Sequence, residues 1–270
     1  LITESTYGGS SHPARNIEIE RLMEIINGVA KNNQRLIIPS FALERTQDII
    51  EVLSLKMWQK EIPFVPIYLN SPLAIKITNI YAQGWEERGM FADQGKLSFN
   101  PFDISKNPYL RTLAISSEAE ILASQPKSGI FISSSGMCEA GPVRNLLRIN
   151  LPKKDAAVCL IGYMAKNSLG RKLKELTSPR KVMMNGSEIL VQAEIHSFES
   201  FSAHADGPFL VDYATEVLTR YPNLPKYVFI VHGEGEGAEN LKADLESGLS
   251  SLSQNINIMI PKLNEEFDLK

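Results

Sequence analysis

Two cysteines in 270 residues are too few for a disulfide framework. Cys138 and Cys159 therefore read as free thiols of a reducing, cytoplasmic setting. No apolar run approaches the length of a membrane span, and the first residues lack the basic start and apolar stretch of a signal peptide, which argues against a membrane partner. No internal repeat or low-complexity tract interrupts the chain, so solenoid and linker architectures are set aside. Neither sign of charge is in large excess: 28 Lys and Arg face 31 Asp and Glu, a net −3. With 43% hydrophobic and 22% charged residues, the composition is that of a globular protein of one large or two smaller domains.

The average hides an uneven distribution. Between Arg144 and Lys181 stand ten basic residues (Arg144, Arg148, Lys153, Lys154, Lys166, Arg171, Lys172, Lys174, Arg180 and Lys181) against Asp155 and Glu175. A local field of that sign steers polyanions even on an acidic protein. Solvated helix and loop faces would give the same count.

Hydrophobic periodicity gives an alternating α/β order. Ser10 or Ser11 is expected to cap a first helix, with Pro13 in its first turn and Leu22, Ile25, Ile26 and Val29 on its inner face. RLIIP (35–39), VPIYL (65–69), GIFISS (129–134) and AVCLIGY (157–163) read as buried strands, and Leu43, Ile49, Ile50 and Leu53 mark a second helix. Strands separated by helices imply a mostly parallel sheet covered on both faces. After Lys181 an antiparallel hairpin is expected, turning at Asn185-Gly186. Helix, strand, helix and strand follow, at about 207–218, 227–231, 238–249 and 256–260, with a domain change near Phe198.

Three stretches carry potential chemistry. The first pairs His204, set between a strand and a helix in ESFSAHADGPF, with His232, at the carboxyl end of the strand in KYVFIVHGEGEG. A lone histidine is more often structural, and His196, inside the alternating VQAEIHSF, is read that way. Two histidines at strand ends, each followed by small residues and a carboxylate, suggest ligation or proton transfer. GEGEGA also fits G-x-G-x-x-A, but Glu234 and Glu236 would lie where a pyrophosphate needs positive potential, and such fingerprints open a domain rather than close it. The second is FISSSGMCEAGPVRNLL, a strand, a Ser/Gly loop (Ser133, Ser134, Ser135, Gly136) and a helix. The third is GYMAKNSLGRKLKEL, where Asn167 or Ser168 caps a helix bearing Arg171 and Lys172. Each loop reads either as a capped turn or as a phosphate cradle.

Taken in order, these stretches resemble the β-CASP family of metallo-β-lactamase-fold nucleases. ESTYG with His12 is similar to that family's motif A, FSAHAD to motif B and VHGE to motif C. IPSFALERTQDII, VPIYLNSPLA, SSSGMCEAGP and GYMAKNSLGRKL resemble the blocks between them, with Asn70 where Asp is more usual and Asn167-Ser168 where Gly-Thr is commoner. The wording is closest to the RNA-processing branch, in whose members a histidine such as His232 is usual in motif C; DNA-repair members tend to have valine.

The resemblance implies a β-CASP cassette at 8–198, a mostly parallel sheet flanked by helices. It also implies the C-terminal part of a metallo-β-lactamase αββα fold at 1–7 and 199–270. It implies zinc-dependent hydrolysis of RNA phosphodiester bonds, with two zinc ions in the full-length enzyme. His232 is expected as a metal ligand and His204 as the general acid, with its tautomer set by Glu4. Asp206 is expected to cap a helix. Ser133, Ser134, Ser135, Gly136, Ser168, Arg171 and Lys172 are expected to meet RNA. The family's H-x-H-x-D-H signature has no counterpart among the four histidines. A missing N-terminal half of the catalytic domain is therefore an expected partner, and these residues alone are expected to hold no stable zinc and to be inactive. A homodimer is also envisaged. A DNA nuclease, a non-catalytic scaffold subunit and a nucleotide-binding α/β protein remain the alternatives.

Overall fold

The computed structural model describes residues 1–85, 96–220, 227–250 and 256–268. In chain order the elements are β1 (Ile2–Glu4), α1 (Arg15–Lys31), β2 (Arg35–Pro39), α2 (Arg45–Trp58), β3 (Ile67–Asn70) and α3 (Pro72–Gly84). Then come β4 (Leu110–Thr112), α4 (Ser116–Ser124), β5 (Gly129–Ser133), α5 (Val143–Asn150), β6 (Ala156–Ile161) and α6 (Leu169–Lys174). The chain goes on through β7 (Lys181–Met184), β8 (Ser187–Leu190), β9 (Glu194–Phe198), α7 (Gly207–Arg220), β10 (Tyr227–Val231), α8 (Gly235–Gly248) and β11 (Asn257–Met259). They group into two compact units: Ala14–Ser202, and Leu1–Pro13 together with Ala203–Lys270.

The larger unit is built on a six-stranded sheet of order β4-β3-β5-β2-β6-β9, parallel throughout. Its central strands are buried along their whole length because both faces are covered. Leu36, Ile38, Ile130, Ile132 and Cys159 face a cluster with Leu22, Ile26, Ile49, Ile50 and Leu53 of α1 and α2. Their neighbours Ile37, Phe131, Val158 and Leu160 face Ala119, Leu146, Leu147 and Leu173 of α4, α5 and α6. Each Leu, Ile, Val or Phe among them removed from water contributes roughly 1.5–3 kcal/mol. Parallel strands share a direction, so Pro39, Asn70, Ser133, Ile161 and Phe198 end at one edge of the sheet, the edge where α/β folds assemble sites. The hairpin β7–β8 is antiparallel and turns at Asn185-Gly186, both at positive φ (50° and 78°).

In the smaller unit β1, from the start of the chain, joins β10 and β11 in a parallel sheet of order β1-β10-β11. Val228 and Ile230 pack with Leu210, Ala214 and Leu218 of α7 and Leu241 and Leu245 of α8. On the other face Ile2 is exposed, and Tyr227 and Phe229 are half-buried.

Two local expectations are corrected. The first helix opens at Arg15 after Ala14, and neither Ser10 nor Ser11 caps it. The Ser10 carbonyl instead accepts from the Gly207 amide at 2.8 Å, and the His12 amide donates to Asp206 at 3.1 Å, so the segment belongs to the smaller unit. Leu43 lies outside α2 and is exposed.

Candidate active site

The site grows from the register of two parallel strands. Glu4 lies opposite Val231, so β1 and β10 deliver Glu4 and His232 to the same end of the sheet. Past the strand ends the two backbones almost touch. A Cβ on Gly8 would stand 2.0 Å from the Gly237 carbonyl oxygen, and one on Gly233 would stand 2.2 Å from Ser5 Oγ. That close approach, not a dinucleotide, accounts for Gly233 and Gly237, where a Cβ on the latter would stand 2.7 Å from the Ser5 carbonyl oxygen; Gly235 has open space around it. Ser5 Oγ donates to the Val231 carbonyl at 3.1 Å, and Thr6 Oγ1 donates to the His232 carbonyl at 3.2 Å. His232 itself sits at φ 49° with its side chain exposed.

The loop before α7 brings the second histidine to the same place. Glu4 Oε2 lies 3.0 Å from His204 Nδ1 and accepts from the Thr6 amide at 3.0 Å; Oε1 accepts from the Ala205 amide at 3.1 Å. A carboxylate offers only acceptors, so the His204 proton resides on Nδ1, and Nε2 is the nitrogen that can exchange a proton with another group. Thr6 Oγ1 is 3.2 Å from the same Nδ1 and thereby links His204 to the His232 carbonyl. The two imidazoles stack with centroids 5.3 Å apart and planes 28° from parallel. Partial burial pushes the Glu4 carboxyl up, but the Thr6 hydroxyl and amide and the His204 ring outweigh it, leaving its pKa below the ordinary value of 4.5. Asp206 caps α7: Oδ1 accepts from the Phe209 amide at 3.1 Å, and Oδ2 from the His12 amide.

Glu4, His204 and His232 thus form one cluster. His196 stays in β9, where burial pushes its pKa down and Glu194 Oε2 lies 3.3 Å from Nε2. The remaining expected residues belong to the larger unit. Ser133 is buried and donates to the Asn70 carbonyl at 2.8 Å, and Ser134 Oγ donates to Ser71 Oγ at 3.0 Å. Ser135 Oγ accepts from the Ala140 amide at 3.2 Å, and Gly136 lies beneath the half-exposed Phe41 ring. Ser168, rather than Asn167, caps α6, accepting from the Arg171 amide at 3.1 Å.

The first amides of α6 already have acceptors inside the fold: the Glu139 carboxylate takes Leu169 N, and the Met137 carbonyl takes Gly170 N at 3.0 Å. The two Ser/Gly loops are therefore joined to each other. Arg171 pairs with Glu175 one helical turn on, while Lys172 is exposed. Sequence reasoning missed Glu139 because its partner is thirty residues away, and missed Thr6 because no spacing rule marks a hydroxyl that bridges two strand ends.

Among the described residues no group of three or more His, Cys, Asp or Glu could hold a metal ion. His232, an exposed imidazole beside an ordered acid–imidazole pair, suits one position of a zinc shell. The remaining positions need donors other than these residues.

Residues 46–173 match the family model described as the Beta-Casp domain, and residues 188–261 match the Zn-dependent metallo-hydrolase RNA specificity domain. Transcription termination factor FttA of Thermococcus kodakarensis is 29% identical over 269 residues, covering 94% of this chain and 39% of the relative. Ribonuclease TTHA0252 of Thermus thermophilus is 28% identical, covering 87% and 52%. Cleavage and polyadenylation specificity factor subunit 3-I of Arabidopsis thaliana is 27% identical, covering 99% and 36%. The chain thus spans between a third and about half the length of these curated relatives. With both family models matched in order along an α/β chain whose parallel sheet is flanked by helices, the chain belongs to the β-CASP family of metallo-β-lactamase-fold nucleases.

Proposed function

We propose that this chain is the RNA-gripping part, and one wall of the active site, of a zinc-dependent ribonuclease that hydrolyses RNA phosphodiester bonds. The observation that carries the reading is the Glu4–His204 pair at 3.0 Å beside His232, at the carboxyl ends of two adjacent parallel strands. His204 is the general acid: Nδ1–H is held by Glu4, which leaves Nε2 to deliver a proton to the departing ribose oxygen. Glu4 fixes the tautomer and stabilises the imidazolium that must form before that transfer. Thr6 keeps the imidazole in register with the backbone at His232.

His232 would be this chain's ligand to a two-zinc centre completed by donors outside these residues. When bound, such a centre supplies a hydroxide nucleophile at neutral pH and offsets charge on the phosphoryl oxygens. Ser134, Ser135, Arg171 and Lys172 are assigned to RNA phosphates, with Ser133, Gly136 and Ser168 shaping the loops that carry them. Ser133 and Ser168 are placed in that supporting role because they are buried, whereas Ser134 and Ser135 are partly exposed. The setting proposed is the cytoplasm, where two buried thiols stay reduced.

The test is cleavage of end-labelled single-stranded RNA and of DNA of the same sequence by the protein with its metal ligands complete, before and after chelation and zinc restoration. Zinc-restored cleavage of RNA over DNA supports the reading. Equal or preferential cleavage of DNA points to a DNA nuclease, and no cleavage of either points to a scaffold.

A further inference from the structure

Of the four histidines, His12 is the one without a role, yet its ring is tied into the site. His12 Nε2 lies 2.9 Å from the His204 carbonyl oxygen. A carbonyl only accepts, so Nε2 carries the proton and donates. The same peptide group is gripped from its other side, where the Ala205 N–H donates to Glu4 Oε1 at 3.1 Å. The peptide between His204 and Ala205 is therefore held at its C=O by His12 and at its N–H by Glu4.

His12 also fixes the next residue, its amide donating to Asp206 Oδ2 while Oδ1 caps α7. The ring is held by Tyr7, whose centroid is 4.4 Å away in an edge-to-face arrangement. His12 Nδ1 is buried and has no hydrogen-bond partner, so the donation from Nε2 is the polar contact that orients the imidazole. We infer that His12 is a positioning residue for His204: it clamps the peptide plane from which the proton-delivering imidazole projects, in partnership with Glu4. This rests on the assignment of His204 as the general acid. Seven residues lie between β1 and His12, so the device is encoded in the stretch that also supplies Glu4 and Thr6.

Three substitutions separate the donor from the ring. In His12→Gln the amide nitrogen stands as far along the side chain as Nε2 and can donate to the His204 carbonyl. His12→Phe keeps the ring against Tyr7 and removes the donor. His12→Asn places its nitrogen where Nδ1 stands, short of the carbonyl, and serves if the phenylalanine variant does not fold.

Two readouts are used. Nitrogen-15 NMR of His204 in the 270-residue chain reports its tautomer independently of catalysis. RNA turnover by the zinc-restored enzyme gives kcat and KM. The expected result is a pure Nδ1–H tautomer in the wild type and His12→Gln, and a mixture in His12→Phe and His12→Asn. Turnover should fall in kcat by on the order of tenfold to a hundredfold in the latter two, with KM within about twofold, and recover most of the way in His12→Gln. An unchanged His204 tautomer in the donorless variants, or equal losses in His12→Gln and His12→Phe, overturns the inference. If His204→Ala leaves RNA turnover unaltered, the general-acid reading itself fails, and the NMR comparison alone decides whether His12 orients the imidazole.

Discussion

Replacing Glu4 by glutamine isolates what the carboxylate does. In the wild type its two oxygens accept from three donors: the Thr6 amide, the Ala205 amide and His204 Nδ1. Glutamine offers one oxygen and one donating nitrogen. If its oxygen faces Thr6 and His204, the Ala205 N–H meets another N–H. If it is flipped, His204 must surrender its Nδ1 proton and Thr6 loses its acceptor. Either way at least one half-buried donor is left unpaired, at about 1–3 kcal/mol. Because the Glu4 side chain is 23% exposed, the lower half of that range applies. The expected result at neutral pH is a urea midpoint lowered by the equivalent of about 1–2 kcal/mol with an unchanged slope.

The pH dependence gives an independent check. The folded-state pKa of Glu4 lies below its ordinary value of 4.5, so on acidification the unfolded chain takes up this proton first. Its contribution is complete above that value and drains away as pH falls through the lower folded-state value. The stability gap between wild type and Glu4→Gln should therefore shrink below about pH 4.5 and stay constant above it. A variant as stable as the wild type at neutral pH, or a gap that does not narrow on acidification, would mean that the Glu4 carboxylate does not hold these three donors in the folded protein.

Other outcomes follow from equally local features. Glu44 sits at φ 65° and ψ −61° in a tight turn closed by the Arg45 amide donating to the Leu43 carbonyl at 2.8 Å. Such strain costs about 1–3 kcal/mol, and glycine's extra freedom in the unfolded chain offsets about 0.5–1, so Glu44→Gly should raise stability by about 1 kcal/mol in urea titration. Burial pushes the Cys138 thiol up to about 12 and the Cys159 thiol up as well, so neither should react with a disulfide reagent at neutral pH until denaturant is added. If Lys172 meets an RNA phosphate, Lys172→Glu should flatten the dependence of log affinity on log salt by about 0.7, the value for one contact on a single strand. Arg171→Glu should change it less, since Arg171 is already paired with Glu175.

Where periodicity and turn chemistry act locally, the sequence was informative. RLIIP is a strand at 35–39 because the apolar run Leu36, Ile37 and Ile38 is buried between two helical layers. Asn185-Gly186 marks its hairpin because both residues tolerate positive φ. The Ser168 cap follows the same logic. Elements that depend on remote partners were not legible: β4 is three residues long, and its register against β3 gives no periodic signal. The Ser10–Ser11 cap failed because the sequence cannot show that this segment's backbone is committed to Gly207 and Asp206, about two hundred residues away.

At the site, the residue types at strand ends singled out His204 and His232, while the link to Glu4 came through resemblance. What neither disclosed was the wiring between them, the Thr6 bridge and the His12 donation to a main-chain carbonyl, since a histidine that donates to backbone looks in sequence like any other. Asn70 shows the converse: its buried amide donates to the Leu113 carbonyl at 2.9 Å, which the family's usual carboxylate could not do.

If His204 delivers the proton to the leaving oxygen, its loss should be felt only where that oxygen needs a proton to depart. The most direct measurement compares wild type and His204→Ala on two substrates: an RNA phosphodiester, whose ribose oxygen needs a proton to depart, and a nitrophenyl phosphodiester, whose phenolate leaves without one. The expected result is a loss in kcat of about 10²–10⁴-fold on RNA and near-parity on the nitrophenyl ester. An equal loss on both substrates would contradict it and return His204 to a structural or ligating role.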